Sequence, residues 1–275
     1  MEALNKQFNT EIFNWLVPQY SAIYALAFII VLLIFVNRAG KIGLSRSYAF
    51  WSGIWAIAFG LIGSRIYWLL QHIEEMVSTP TLILSGNTGS MGGYIGGILG
   101  FILSLRLYKV EILKYMDGAA SALGIGIAIG RIGCFLGGCC FGKVSDLPWA
   151  VRFPKGTLPY NAHLVEGLIP INANASLSIH PVQIYDSLNG LLLFLLASWY
   201  WPKLRHWPGA IFFLFWLSFC VTRLGLEFLR DDKERGFIGH WSVPQFLCLI
   251  LAFPLIGGLW WALKLRRCPK TKENI

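Results

Sequence analysis

Residues 115–143 read YMDGAASALGIGIAIGRIGCFLGGCCFGK, and the apolar, glycine-rich run at 115–137 decides the fold. At about 1.5 Å of rise per residue, a helix over that run covers the hydrocarbon core of a bilayer, roughly 30 Å. Its glycines point to close helix approach rather than to a weak helix. Near its end stand Arg131 and the thiols Cys134, Cys139 and Cys140. A guanidinium at membrane depth must face a protein interior or a lipid headgroup, which makes Arg131 a functional-site candidate by default.

The rest of the chain repeats the pattern. Hydrophobic residues make up 56% and charged residues 13%, against about 25% charged in an average soluble domain. Apolar runs fall at 19–37, 47–70, 91–106, 115–137, 184–201, 208–229 and 243–264. The expected fold is therefore an all-α integral membrane protein, a bundle of about seven transmembrane helices. The expected organisation is a single domain over 1–275 with an extracytoplasmic loop region at about 138–183. Met1 to Pro18 lacks a charged segment followed by a long apolar core, so no signal peptide is expected and the first span is retained.

Lys and Arg concentrate in alternate connections: Arg38 to Arg46, Arg106 to Lys114, Lys203 with Arg205, and the tail from Lys264 to Lys272. The positive-inside rule places these in the cytoplasm, with the amino terminus outside and the carboxy terminus inside. Arg65, Arg131 and Arg223 then fall within spans, each in the outward half of a helix running from cytoplasm to exterior. Tyr20 and Tyr24 begin the first span on that side, Gly93 to Gly97 begin the third, and His180 to Tyr185 lead into the fifth. Each buried cation costs several kcal/mol without a partner. Guanidinium forks match phosphate oxygens, so an anionic phospholipid headgroup is the expected ligand.

Bland readings stand beside these. Glu227 lies four residues after Arg223 on the same helical face and can neutralise it. Arg230 to Arg235 reads mostly as a solvated charged loop, although Arg230 is seven residues after Arg223. Pro181 marks a helix start, and His180 before it acts either as a general base or as a residue that orients the loop. The spacing of Cys134, Cys139 and Cys140 is not that of a zinc ribbon. Cys220 and Cys248 are small hydrophobes within spans. No metal and no cofactor is expected, and a disulfide from Cys134 to Cys139 or Cys140 is left open. The glycines at 92–100 lie in a span rather than after a strand, so they form no dinucleotide fingerprint. The net charge of +9 suits topology and anionic lipid heads and needs no nucleic acid.

Gly130-Arg131-Ile132-Gly133 followed by Phe135, Gly138 and Gly142, with Asp146 to Ala150 and Phe153-Pro154 beyond, resembles the signature of the bacterial prolipoprotein diacylglyceryl transferase family. The resemblance extends to Tyr20 to Phe28, Gly63 to Ile66, Gly96 to Gly100, His180-Pro181 with Gln183 and Tyr185, and Arg223 with Glu227 and Arg230. It implies a seven-helix enzyme of the bacterial inner membrane, multi-pass, with its active site toward the periplasm. Such an enzyme moves the diacylglyceryl group of phosphatidylglycerol to the thiol of a lipobox cysteine in a prolipoprotein, releasing glycerol phosphate. Its partners would be phosphatidylglycerol, a prolipoprotein signal peptide and membrane lipid.

The departures bear on chemistry. The family pattern has a histidine before the paired glycines of the third span, where Ile95 and Tyr94 precede Gly96-Gly97 here. It has an asparagine at the place of Cys134 and an acidic residue at the place of Cys139. The expected catalytic residues are Arg131, Arg223, Tyr94 and His180. The expected substrate-binding residues are Tyr20, Tyr24, Arg65, Gly96, Gly97, Cys134, Cys139, Gly142, Glu227 and Arg230. Arg131 and Arg223, with Arg230, would hold the phosphoryl group and stabilise its departure. The acceptor thiol must become a thiolate, through Tyr94, through His180 or through the positive field alone. A related transferase with another donor or acceptor, and a lipid-binding protein without catalysis, are the alternatives.

Overall fold

The computed structural model describes residues 20–74, 90–232 and 236–264. Its elements are α1 (Tyr20–Lys41), α2 (Arg46–Gln71), α3 (Ser90–Leu107), α4 (Ile112–Leu136), α5 (Leu158–Val165), α6 (Val182–Leu204), α7 (Ala210–Glu227), β1 (Phe237–Ile238), β2 (Trp241–Ser242) and α8 (Val243–Lys264). Each apolar run of the sequence carries one long helix. Among the described residues, α1, α2, α4, α7 and α8 are long and apolar enough to cross a membrane, and the apolar part of α3, Gly92–Leu107, is shorter.

The side chains are distributed as a hydrocarbon solvent demands. Leu33, Leu61, Val221 and Phe253 are exposed on their helices, while Ser52, Ser104, Gln183, Asp186, Arg223 and Glu227 are buried. Backbone polar groups are satisfied inside the helices, the arrangement a bilayer allows. The chain is an all-α integral membrane protein.

Backbone contacts divide the chain into two compact units, Leu32–Gly118 and the combination of Met1–Val31 with Ala119–Ile275. In the first unit, α2 starts at Ser45, whose hydroxyl accepts the Tyr48 N–H at 3.3 Å, an N-cap that satisfies one orphan donor of the first turn. Small residues then bring α2 and α3 together. A Cβ at Gly92 would strike the Gly63 carbonyl, and one at Gly96 would strike the Phe59 carbonyl. The stripe is a small-residue helix seam of the membrane kind.

The second unit contains the loop region between α4 and α6. There Lys143 N–H donates to Leu229 O, His180 N–H to Lys143 O, and Val151 and Ile179 exchange both backbone hydrogen bonds. Phe141, Phe153 and Ile179 form its core, with Phe135, Val151 and Ala162 packed against them. A further cluster joins α7 and α8 through Cys220, Cys248 and Leu255, so Cys220 and Cys248 are small core residues.

Candidate functional site

Glycine contacts between α4 and α6 set the site. A Cβ at Gly124 would lie 2.7 Å from Phe194 N and 2.9 Å from Gly190 O, and one at Gly190 would lie 2.7 Å from Ala128 N. With nothing but backbone between them the helices touch, and Ser187 Oγ donates to Ala128 O at 2.7 Å. One residue before Ser187 stands Asp186. Two residues after Ile129, on the outgoing end of α4, stands Arg131.

These two meet. Arg131 Nε lies 3.3 Å from Asp186 Oδ2, and Arg223 Nη1 from α7 lies 3.0 Å from the same oxygen. Arg223 also holds Glu227 Oε2 through Nη2 at 2.7 Å, the pairing that the four-residue spacing foretold. Arg230 lies beyond the end of α7 and grips Asp232 with two prongs, Nε to Oδ1 at 2.9 Å and Nη2 to Oδ2 at 2.6 Å. Arg230 and Asp232 are both buried, so this part of the charged segment is not solvated. Lys233 to Arg235 lie outside the described residues.

Three guanidiniums face three carboxylates, which is how buried charge is tolerated at all. Exposure separates their roles. The Arg131 side chain is 21% exposed, against 6% for Arg223 and 5% for Arg230. Arg131 is the most exposed of the three cations, and the other two are set deeper in the network.

The three thiols cluster beside these arginines. Their Sγ atoms all lie within 4.8 Å of one another. After α4 the chain turns back on itself: Gly138 has φ of +65° and Cys140 of +57°, and Cys139 N–H donates to Cys134 O at 3.1 Å. For an L-residue such as Cys140, the left-handed region costs on the order of 1–2 kcal/mol. Gln183, fully buried on α6, donates through Nε2 to Cys139 O at 2.8 Å and holds the turn in place. Hydrogen bonds from Cys134 and Cys139 hold the Cys140 thiol well below its ordinary value, and the cations of Arg131 and Arg230 act in the same direction against the opposing effect of burial. Cys139, as the donor to its neighbours, is pushed well above the ordinary range. Arg230 is raised as well: burial opposes its charge, but Asp232 and Cys140 outweigh it.

Tyr24 closes this side. Its ring lies over the glycine face of α4, where a Cβ at Gly133 would come within 3.0 Å of it, and its hydroxyl is 3.4 Å from Cys134 Sγ. Gly142 is a backbone necessity: a Cβ there would be 2.5 Å from both His180 O and Val182 Cγ2. His180 Nδ1 sits 3.4 Å from the Tyr185 hydroxyl, which takes a 2.7 Å hydrogen bond from Trp149 Nε1. That chain orients the imidazole.

A cavity of about 360 Å³ opens next to Cys140, lined also by Phe141, His163, Glu166, Asp231 and Asp232. His163 is buried with Nδ1 accepting the Leu177 N–H at 3.2 Å. Burial lowers its pKa, against the partial opposition of Asp231 and Glu166.

The remaining expected residues lie elsewhere. Tyr20 opens α1, and its side chain lies outside the described residues. Arg65, Tyr94, Gly96 and Gly97 belong to the unit Leu32–Gly118. There Arg65 stacks on Trp68, 5.2 Å from the ring centre, Tyr94 is 68% exposed, and Gly96 and Gly97 pack on the α2 backbone. Asp186 and His163 were not singled out in the sequence, Asp232 was expected only as part of a solvated charged loop, and Cys140 was noted as one of three thiols without a site role. For Asp186 a signal was present, a lone carboxylate inside the apolar run 184–201.

Residues 8–261 match the family described as prolipoprotein diacylglyceryl transferase. The chain is 30% identical over 252 residues to the phosphatidylglycerol--prolipoprotein diacylglyceryl transferase of Clostridium tetani, covering 90% of this chain and 93% of that one. It is 29% identical to the second enzyme of that name from Clostridium perfringens, over 90% and 91% of the two chains. With the Pseudomonas paraeruginosa enzyme of the same name it shares 30% identity over 217 residues, 76% of this chain and 74% of that one.

Proposed function

We propose, for a chain that belongs to the prolipoprotein diacylglyceryl transferase family, that it transfers the diacylglyceryl group of phosphatidylglycerol to a cysteine thiol of a prolipoprotein and releases glycerol phosphate. The observation that carries the reading is the convergence of Arg131 and Arg223 on Asp186. Arg131, the most exposed of the three cations, meets the phosphate first. Arg223, anchored from two sides by Asp186 and Glu227, supplies fixed positive charge that needs no reorganisation when the leaving phosphate gathers charge. Arg230 and Asp232 brace the loop beside it.

The acceptor is the lipobox cysteine of the precursor, and its sulfur attacks the glyceryl carbon that bears the phosphate ester. The carbon–oxygen bond breaks and the electron pair leaves with glycerol phosphate. Tyr24 positions the headgroup against the α4 glycine face, while Tyr94 and His180 are the two side-chain candidates for the base. The distribution of Lys and Arg supports an amino terminus outside, a carboxy terminus in the cytoplasm and chemistry at the periplasmic side of the bacterial inner membrane.

A second reading, a related transferase with another donor or acceptor, is favoured by Ile95 or Tyr94, Cys134 and Cys139, which stand where the resemblance implies a histidine, an asparagine and an acidic residue. Mass spectrometry separates the two. Purified protein, phosphatidylglycerol and a lipobox peptide should yield a peptide heavier by one diacylglyceryl group, with glycerol phosphate released. A different adduct supports the second reading. An unmodified peptide with lipid still bound points to a non-catalytic lipid-binding protein.

A further inference from the structure

We propose that Cys134, Cys139 and Cys140 bind a thiophilic metal ion of the Zn²⁺ class, leaving one coordination position for the thiol of the acceptor. The assignment of that fourth position rests on the transferase reading above. The three-sulfur site itself rests on geometry alone.

The sulfurs are already gathered, all within 4.8 Å of one another. Tetrahedral Zn²⁺ with Zn–S distances of about 2.3 Å places its sulfurs about 3.8 Å apart, so closing the site takes movements of about 1 Å or less. The gathering is built into the backbone. Cys134 occupies the last turn of α4, the turn through Gly138 and Cys140 folds the next two thiols back onto it, and the buried Gln183 amide pins the Cys139 carbonyl from α6. Cys140 holds a left-handed conformation that an L-residue adopts only when its surroundings impose it. Packing of small hydrophobes would not require that. A disulfide would use two of the sulfurs and leave the third without a role.

Donor chemistry selects the ion. Three thiolates are a soft set, suited to Zn²⁺ or Cu⁺ and poor for Mg²⁺ or Ca²⁺. Among the described residues the group has three members, and three protein ligands with an open fourth position is the pattern of reactive zinc sites, where structural sites are closed by four. Three thiolates around Zn²⁺ carry a net charge of −1, and the guanidiniums of Arg131 and Arg230, whose fields reach Cys140, offset it.

An acceptor thiol that enters the fourth position gives up its proton to water on coordination. Its metal-bound sulfur then forms the carbon–sulfur bond to the glyceryl carbon as the carbon–oxygen bond to phosphate breaks. The electron pair departs on the phosphate oxygen beside Arg131, and the metal keeps its oxidation state. The thioether product is a weaker ligand than a thiolate and dissociates. The metal thereby does the work of the base in a chain without a histidine before the paired glycines at 96 and 97.

The test uses the full chain, reduced and purified in detergent, with Zn²⁺ and Co²⁺ as separate probes. Stoichiometric Zn²⁺ should survive dialysis, and Co²⁺ should give thiolate charge-transfer absorption. Cys134→Ser, Cys139→Ser and Cys140→Ser should each lose both, Cys220→Ala should keep both, and Cys140→His, which retains a zinc ligand, should bind Co²⁺ with a shifted spectrum. Chelation should abolish transfer to the lipobox peptide and Zn²⁺ should restore it. Metal binding equal in the parent and in the triple serine variant overturns the site, as does a thiol cluster that isolates only as a disulfide and takes up neither ion. Chelator-insensitive transfer by metal-free protein overturns the metal's role and leaves the transferase reading standing. Cysteine-dependent Zn²⁺ with no lipid transfer keeps the three-sulfur site and removes the transferase reading.

Discussion

In α3 the glycines at 92, 96 and 100 meet the main chain and ring carbons of α2, whereas in α4 those at 130 and 133 meet the ring of Tyr24. The neighbours differ in what they can yield. A methyl group at Gly96 would press on the Phe59 carbonyl, which cannot move without the helix. A methyl at Gly130 would sit 3.6 Å from a Tyr24 ring carbon, an ordinary contact. The first stripe is a seam that joins helices, and the second is a bed for an aromatic ring next to Arg131 and the thiols. Glycine density is the same signal in both, and only the charge that follows Gly130 marks the second as chemical.

Variants of each region break or sharpen that contrast. The largest effect is expected at the charged end. Asp186→Ala leaves Arg131 and Arg223 without their shared carboxylate and should cost about 3–5 kcal/mol, read as a lowered thermal midpoint in detergent. Added phosphatidylglycerol should recover more of that loss than it adds to the parent, since its phosphate supplies the missing charge. Next comes the seam: Gly96→Ala should cost about 1–3 kcal/mol by overpacking. Tyr24→Phe removes the hydroxyl near Cys134 but keeps the ring, and a loss of about 0.5–1.5 kcal/mol is expected. Smallest is Gly130→Ala, within about 0.5 kcal/mol of the parent, because helix propensity favours alanine there. Equal losses for Gly96→Ala and Gly130→Ala would erase the distinction between the two stripes.

The helices were legible because a bilayer imposes one rule on every span, apolar residues over a fixed length. Their ends moved by a few residues: α1 runs on to Lys41 and α6 to Leu204, each beyond the apolar run, since a helix continues past the hydrocarbon while its hydrogen bonds are met. Arg223 with Glu227 was legible for the same local reason, four residues on one face. Asp186 was not, because its partnership with Arg131 depends on how closely α4 and α6 approach, which Gly124 and Gly190 decide together and neither announces alone. The convergence of the thiols was hidden as well. Spacing says little when two left-handed residues fold the chain back. Arg230 was legible as a candidate but its pairing was not, because the seven-residue spacing from Arg223 assumes a continuing helix, whereas α7 ends at Glu227 and Arg230 pairs with Asp232 beyond that end.

The most direct test of the arginine-centred account is the rate of diacylglyceryl transfer from phosphatidylglycerol to a lipobox peptide by Arg131→Ala, compared with the parent chain at equal thermal stability. The prediction is a rate lower by about 10²–10³-fold, the cost of removing one preorganised donor to a developing oxyanion, with Arg131→Lys restoring part of it. A rate unchanged from the parent would contradict the account.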